Sequence, residues 1–332
     1  MSRNALRLGV IGGGYWGQNL IRTCADLGVL DAICDADEGV RAALARTYPD
    51  VSLYDDYELL LEAQLDGVLI ATPAITHADL AIAAFARGLH VFVEKPMALS
   101  VGDGQRMQDA ADRAGRQLFI GHLLLYHPGV RKMRGLIADQ AIGRVWHLRS
   151  RRLSLGKLRQ HESVWWSFAP HDVALMLAIM GEEPESATSS QIGWLSSRLP
   201  DVAYADFQFS HGRAGHIEVN WLDPHKCARL DVYGTDGVIT FEDFRVGQRL
   251  TVAMCGAKPD ERGQLRAQRG DTYEVAVEPS EPLREEIIAF LTSIRFEIPS
   301  ETDGKEGIAV LRALEMADDG SSHHSVVPTA LA

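Results

Sequence analysis

Short apolar runs alternate with segments of helical apolar periodicity over residues 1–121. The apolar runs cover 6–11, 30–34, 66–71, 89–93 and 117–121, and the helical patterns cover 18–27, 40–48, 77–87 and 102–114. Short buried strands separated by amphipathic helices are typical of βαβ units that build a parallel sheet. We therefore predict an α/β domain with a parallel sheet in this part of the chain.

The pattern changes after Gly121, where strand-like runs follow one another with few helices between them. Tight-turn sequences at 210–213 and 234–237 separate several of these runs, which indicates antiparallel pairing. The runs cover 145–151, 203–209, 214–221, 228–233, 238–241, 250–253 and 273–277. We predict a second α/β domain built on a large, mostly antiparallel sheet.

This change places the domain boundary near Gly121 and gives a first domain of 1–121 and a second of 122–332. The second domain closes with two helical patterns, 283–296 and 304–317. The last segment, 321–332, shows no helical periodicity, so we expect it to pack loosely.

The chain is acidic, because 33 Lys and Arg residues stand against 45 Asp and Glu residues and give a formal net charge of −12. Nucleic acids and anionic membranes attract positively charged surfaces, so we exclude both as partners. No apolar run approaches the roughly 18 residues of a transmembrane helix. The polar start does not resemble a signal peptide.

The cysteines lie far apart in the sequence and form no C-x-x-C pair. They are Cys24, Cys34, Cys227 and Cys255. Free thiols are typical of a reducing compartment, so we expect a cytoplasmic protein. His323 and His324 have no third candidate ligand near them. We therefore predict no metal site.

Three glycines follow the first predicted strand with the spacing Gly12-x-Gly14-x-x-Gly17. Between a strand and a helix, this spacing allows a tight turn, a close approach of backbone to pyrophosphate and close helix–strand packing. Asp35 ends the second predicted strand, near the expected offset of ~20 residues. A carboxylate there binds ribose hydroxyls and repels a 2′-phosphate, so we predict NAD and regard NADP as less favoured.

Several further segments resemble one protein family when taken in order. They are GYWGQN at 14–19, ATPAITH at 71–77, EKP at 94–96, GHLLLYHP at 121–128, APHD at 169–172, PLREE at 282–286 and TDGKEG at 302–307. Together they resemble the glucose–fructose oxidoreductase and inositol dehydrogenase family (Gfo/Idh/MocA). The GYWGQN and APHD segments look most like its branch related to UDP-N-acetylglucosamine 3-dehydrogenase.

The resemblance implies an N-terminal Rossmann domain and a C-terminal domain with a large open sheet. Members of the family commonly cover that sheet by self-association, so a homodimer or homotetramer is expected. The implied activity is hydride transfer between NAD and a ring hydroxyl of a sugar or sugar nucleotide. An inositol or free-sugar dehydrogenase is the first alternative, and a catalytically impaired NAD-binding regulatory or scaffold protein is the second.

The same resemblance assigns chemistry to two residues. Lys95 is implied to hydrogen-bond the reacting hydroxyl, and His171 is implied to accept its proton at a helix start after Pro170. An imidazole titrates near neutral pH and suits this task. Glu94 is placed to orient or neutralise the lysine. Asp172 either caps the helix or orients His171, and the sequence does not choose between these roles.

The chain departs from the family pattern at Ser167. Many members have an aspartate there, one helical turn before the histidine. A serine hydroxyl can form a hydrogen bond but carries no charge, so the departure indicates an altered substrate, a lower rate or a non-catalytic member.

Other candidates are assigned by position. Near the cofactor we expect Tyr15, Trp16, Thr72, Pro73 and His77. Tyr126 and His127 are candidates for lining the substrate cleft. A basic stretch is read either as a phosphate site or as a solvated face, and its members are Arg151, Arg152, Lys157 and Arg159. Trp165 and Trp166 either stack on a sugar or pack in the core.

Overall fold

The structure, a computed structural model, describes residues 6–156, 158–159, 162–195, 199–243 and 248–325. These residues form two compact units. The first contains the described residues up to Leu123 together with Glu281–Leu311, and the second contains those of Leu124–Ser280 and those from Arg312 onward. Lys157 of the basic stretch lies outside the described residues.

Strands and helices are numbered in chain order over the described residues. The strands are β1 Leu8–Ile11, β2 Leu30–Cys34, β3 Ser52–Tyr54, β4 Gly67–Ile70, β5 His90–Glu94, β6 Leu118–Gly121, β7 Val145–Leu153, β8 Ser186–Gly193, β9 Val202–Gln208, β10 Ala214–Asn220, β11 Cys227–Gly234, β12 Gly237–Asp243, β13 Gln248–Pro259, β14 Leu265–Glu274 and β15 Ser321–Ser325. The helices are α1 Gly17–Asp26, α2 Glu38–Thr47, α3 Tyr57–Leu61, α4 His77–Ala86, α5 Val101–Ala114, α6 Pro128–Ala138, α7 Val164–Met180, α8 Pro282–Phe296 and α9 Gly304–Asp319. Within the described ranges, none of these helices has the length and apolar character to cross a membrane.

A six-stranded parallel sheet forms the centre of the first unit, in the order β3-β2-β1-β4-β5-β6 among the described residues. Every residue of β1, β4 and β6 is buried, because helices on both faces cover a parallel sheet and its strands become continuous apolar runs. The predicted parallel α/β sheet is confirmed.

Helix α8 returns the end of the chain to the first unit. Its Phe290 is fully buried, with its ring centroid 5.9 Å from Phe92 of β5 and 5.5 Å from Phe119 of β6. Apolar contacts far apart in sequence therefore assign 281–311 to the first unit, whereas the sequence division at Gly121 placed all later residues in the second.

The second unit is built on a nine-stranded sheet with the order β14-β13-β12-β11-β7-β10-β9-β8-β15 among the described residues. The pairs β7–β10 and β8–β15 are parallel and the other pairs are antiparallel. Helix α7 packs against β7, β9 and β10. The predicted large, mostly antiparallel sheet is confirmed.

The prediction of loose packing for 321–332 is wrong for its first five residues. Ser321–Ser325 form strand β15 and pair in parallel with β8. Neither strand carries an apolar alternation, since β8 reads SATSSQIG and β15 reads SSHHS. Main-chain hydrogen bonds hold this edge, and they leave no hydrophobic pattern in the sequence.

Truncating Phe290 tests the assignment of α8 to the first unit. We expect Phe290→Ala to lower the free energy of unfolding by about 3–5 kcal/mol, because it leaves a cavity among aromatic rings. Phe296→Ala on the same helix is the control, since Phe296 is 64% exposed and its loss should change stability by less than about 0.5 kcal/mol. Urea unfolding measures both, and equal effects would contradict the packing described for α8.

Candidate active site

The turn between β1 and α1 is built from glycines that the backbone requires. Gly12 has φ 99°, and a β-carbon on it would lie 2.8 Å from the carbonyl oxygen of Ala71 after β4. A β-carbon on Gly17 would overlap the carbonyl oxygen of Gly12. These two glycines therefore allow the turn to close on itself and on the neighbouring strand.

Gly14 differs, because a β-carbon on it would meet nothing within 4 Å. Packing within the described residues does not explain this glycine, whereas close approach of a ligand would. The adjoining helix α1 has no side-chain cap and no acidic residue in its first turn, while Asp37 and Ser100 cap α2 and α5. The dipole and N–H groups at the start of α1 therefore suit a pyrophosphate.

Asp35 follows β2 and holds the same turn. Its Oδ2 accepts the main-chain N–H of Gly13 at 2.7 Å, and its Oδ1 accepts that of Asp37 at 2.8 Å. The carboxylate thus lies beside the Gly-rich turn, where it would oppose a 2′-phosphate by charge repulsion.

Trp16 connects the Gly-rich turn to the end of β5. Its Nε1–H donates to Oε1 of Glu94, whereas the neighbouring Tyr15 is 84% exposed. Glu94 Oε2 accepts the main-chain N–H of Lys95 at 3.2 Å. One carboxyl group therefore joins the dinucleotide turn to the segment that carries Lys95.

Burial is the main influence on the pKa of Glu94. It raises the pKa of this carboxyl to about 7, against the opposing effects of the Trp16 N–H, the Lys95 charge and His122. Glu94 thus changes its charge in the neutral pH range.

Lys95 directly follows β5, at the carboxyl end of an interior strand of the parallel sheet, where ligands of such sheets bind. It is partly exposed, and the peptide bond to Pro96 is cis. Lys95 and the Gly-rich turn therefore lie at the same edge of the sheet, where the parallel strands β5 and β1 end.

His77 connects the loops after β4 and β5. Its Nε2 lies 2.9 Å from the carbonyl oxygen of Thr72 and its Nδ1 lies 3.0 Å from that of Pro96. The ring is buried, and its two hydrogen-bond partners show that it holds these loops together. Its place near the cofactor stays a prediction. Thr72 and Pro73 lie in the loop that His77 holds.

In the second unit, the prediction that a helix starts at His171 is wrong. Helix α7 begins at Val164, where the Ser163 side chain caps Trp166 N–H, and Pro170 lies inside the helix. Proline is unfavourable there because it has no N–H to donate, which is why sequence reasoning put a helix start at this point. Ser167 and His171 are one turn apart and share a helix face.

Asp172 does not cap α7, whose N-cap is Ser163. Its carboxylate accepts both Nε and Nη2 of Arg152, at 2.7 and 3.0 Å, and the Ser150 hydroxyl at 2.6 Å. The two partners lie on one side of β7, so Asp172 fastens α7 to the central strand of its sheet. The predicted capping role is therefore wrong, and the orienting role toward His171 stays a prediction.

The basic stretch does not form one patch. Arg152 is committed to Asp172, and Arg159 Nε lies 3.3 Å from Glu162 Oε1. Arg151 lies on the opposite side of β7 from Arg152, because side chains alternate along a strand. Two of the Arg152 nitrogens are thus engaged by Asp172, and its role as a substrate ligand stays a prediction.

The two tryptophans have different surroundings. Trp165 is fully buried and its ring lies 6.3 Å from that of Phe207, so it packs in the core. Trp166 is partly exposed and its Nε1–H donates to Asp318 Oδ2 at 2.6 Å. Of the pair, only Trp166 retains surface for a ligand.

Tyr126 and His127 are buried in the second unit. The Arg131 guanidinium lies 5.2 Å from the Tyr126 ring centroid. His127 caps α6 by accepting Gly129 N–H at 3.1 Å, and burial lowers its pKa. Both residues therefore stabilise the fold around α6. Their place in the lining of the substrate cleft stays a prediction.

The sequence assigned no role to three buried or partly buried polar residues of the first unit, which are His122, Glu286 and Glu306. His122 is buried with its Nδ1 2.7 Å from Glu306 Oε2, and Glu286 of α8 is fully buried. A signal existed for Glu286, which interrupts the apolar face formed by Leu283, Ile287 and Phe290. A charged residue on such a face is unusual.

A parallel sheet, a Gly-rich turn leading to an uncapped helix and a carboxylate after the next strand define a dinucleotide-binding protein of the Rossmann class. The chain belongs to the GFO/IDH/MocA family. The family description "Oxidoreductase family, NAD-binding Rossmann fold" matches residues 6–122, and "GFO/IDH/MocA C-terminal domain" matches residues 130–240. The predicted family, NAD cofactor and oxidoreductase class are confirmed.

Curated relatives include enzymes with different reactions. The chain is 26% identical to myo-inositol 2-dehydrogenase of Thermotoga maritima over 91% of this chain and 92% of the relative. It is 25% identical to UDP-N-acetylglucosamine 3-dehydrogenase of Acidithiobacillus ferrooxidans over 93% and 95%. It is 27% identical to 2,7-anhydro-N-acetylneuraminate hydratase of Escherichia coli over 71% and 68%.

Solved structures share the fold. The UDP-N-acetylglucosamine 3-dehydrogenase of Acidithiobacillus ferrooxidans superposes with a TM-score of 0.83 at 24% identity, over 96% of this chain and 97% of that one. The WlbA dehydrogenase of Bordetella pertussis, solved with NADH and UDP-GlcNAcA, gives a TM-score of 0.79 at 21% identity and 96% coverage of both chains.

Two glycine substitutions separate binding from folding at the turn. We expect Gly14→Ala to leave the melting temperature unchanged and to weaken NAD binding about tenfold, or ~1.4 kcal/mol, because its methyl group enters the space where a phosphate approaches. Gly17→Ala should instead lower the melting temperature, because its methyl group overlaps the Gly12 carbonyl. Calorimetric titration and thermal unfolding measure the two effects, and unchanged NAD affinity in Gly14→Ala would contradict the proposed approach.

Proposed function

We propose that this protein is an NAD-dependent dehydrogenase that moves hydride between nicotinamide and a ring hydroxyl of a sugar or sugar nucleotide. The observation that carries the proposal is the Glu94 carboxyl, which joins the Gly-rich turn through Trp16 to the segment of Lys95. The names of the two dehydrogenase relatives that match more than nine-tenths of the chain support the substrate class.

Each residue has a defined task in this proposal. When NAD is bound, its nicotinamide supplies the hydride acceptor. The Lys95 ammonium hydrogen-bonds the reacting hydroxyl oxygen and stabilises the negative charge that grows on it. The His171 imidazole accepts the hydroxyl proton. Asp35 favours NAD over NADP, because a carboxylate repels a 2′-phosphate.

Ser167 and Asp172 limit how His171 is assisted. The side chain one turn before His171 is an uncharged serine, and the next residue, Asp172, is committed to Arg152. In the proposal His171 therefore works without a carboxylate at either of these positions. A catalytically impaired protein is the alternative that this feature keeps open.

The substrate class divides into two candidates. A sugar nucleotide is favoured by the relative that acts on UDP-N-acetylglucosamine, and inositol or a free sugar is favoured by the relative that acts on myo-inositol. The ion pairs of Arg152 and Arg159 remove the strongest argument for a phosphate subsite in the basic stretch. Both candidate substrates would place a ring hydroxyl beside the nicotinamide.

We further propose a cytoplasmic homodimer or homotetramer. The free thiols Cys24 and Cys34 fit a reducing compartment. The side of β7 opposite α7 carries Arg149, paired with Asp231 at 2.8 Å, and an open sheet with such a polar face is suited to self-association.

Substrate panels with the intact protein test the reaction class. NAD is mixed with sugar nucleotides, inositols and free sugars, and NADH absorbance and thermal stabilisation are followed. We expect NADH formation with at least one ring alcohol. A protein that binds NAD but forms no NADH with any of them would favour the non-catalytic alternative, and stabilisation by inositols alone would exclude the sugar-nucleotide reading.

Single-turnover absorbance with the best substrate tests the two residues. Lys95→Ala and His171→Ala should each lower the rate of NADH formation by at least about 100-fold, because each removes a group that acts on the reacting hydroxyl. Lys132→Ala and His225→Ala are matched controls at exposed positions of the second unit. A loss under tenfold in either active-site variant would contradict its assigned role.

A further inference from the structure

Glu286 of α8 is a buried acid that the proposed reaction does not use. It is fully buried, and neither carboxyl oxygen has a hydrogen-bond partner among the described residues. An ionised carboxylate in such surroundings is costly, because nothing replaces its hydration. The position therefore favours a protonated, neutral side chain.

The charged group that acts electrostatically on Glu286 is Glu94. The two carboxyls interact electrostatically, although they belong to α8 and to the end of β5. Gly121 of β6 makes room for Glu94, because a β-carbon there would lie 3.1 Å from Glu94 Oε2. Two buried acids of the first unit therefore influence each other's charge.

The polar surroundings of the two acids are unequal. Glu94 receives N–H groups from Trp16 and from the Lys95 main chain, and the charges of Lys95 and His122 also favour its anion. His122, which follows β6, contacts Glu306 of α9 through Nδ1. No comparable donor among the described residues reaches Glu286.

We propose that Glu94 and Glu286 form a carboxyl pair that carries one negative charge, with Glu286 keeping its proton and Glu94 holding the charge that fastens Trp16 and the Lys95 segment together. Glu286 is thus a neutral neighbour of Glu94 and adds no second negative charge to this part of the first unit. The effect of this pair on catalysis depends on the proposed role of Lys95. The protonation of the pair does not depend on that role.

The direction of the pH effect follows from the pair. The pKa of Glu94 is about 7 and that of Glu286 lies well above its usual value, both because of burial. Above pH 7 Glu94 is therefore an anion that attracts the Trp16 N–H and the Lys95 ammonium. As the pH falls below 7, Glu94 gains a proton and this attraction weakens. The Gly-rich turn then loses part of its support.

Infrared spectroscopy of the intact protein without cofactor tests the protonation directly. We expect an absorption band of a neutral carboxylic acid at pH 8 in the wild type and in Glu62→Gln, which alters a surface acid, and its loss in Glu286→Gln. If Glu286→Gln does not fold, Glu286→Met removes the same carboxyl with an apolar side chain and should also remove the band. A wild-type spectrum without the band, or a band that survives in the folded variant, overturns the proposal.

NADH binding as a function of pH tests the fastening role. The wild-type dissociation constant should rise about tenfold between pH 8 and pH 6, or ~1.4 kcal/mol. Glu286→Gln should keep this dependence and its midpoint, because the replaced group is already neutral. Glu94→Gln should bind weakly at both pH values. A pH dependence that persists in Glu94→Gln overturns the proposal, whether or not the protein oxidises any sugar.

Discussion

The buried Glu94 carboxyl is the contact on which the first unit's site depends. It accepts an indole N–H from the Gly-rich turn and a main-chain N–H from Lys95. Burial strengthens both hydrogen bonds, because little water competes for the donors. The same burial makes its charge costly. The site is therefore held by a group whose ionisation is balanced near neutral pH.

A different buried carboxylate organises the second unit. Asp172 joins α7 to β7 through Arg152 and Ser150, so the helix that carries Ser167 and His171 has one fixed register on its sheet. A bidentate arginine pair is directional as well as strong. This arrangement assigns Asp172 and Arg152 to structure and leaves His171 as the titratable candidate on that helix.

The sequence predicted five of the six parallel strands closely, because each of the five is a mostly apolar run between helices. It missed the short edge strand β3, Ser52–Tyr54, in which no residue is buried. It also predicted the Gly-rich turn and Asp35, because their spacing is local. It missed β8 and β15, whose pairing rests on main-chain hydrogen bonds between polar sequences. It misplaced the start of α7, because Pro170 normally marks a helix start and here lies within one.

Local spacing thus determined the fold class and the cofactor turn, whereas Lys95 and His171 were singled out by the resemblance to a family. Only the tertiary structure decided how charged side chains are paired. Arg152 with Asp172 and Trp16 with Glu94 are hydrogen bonds between distant segments, and Glu94 acts electrostatically on Glu286 from another element. Burial and partners set the role of a charged group, and neither quantity is written in the sequence around it.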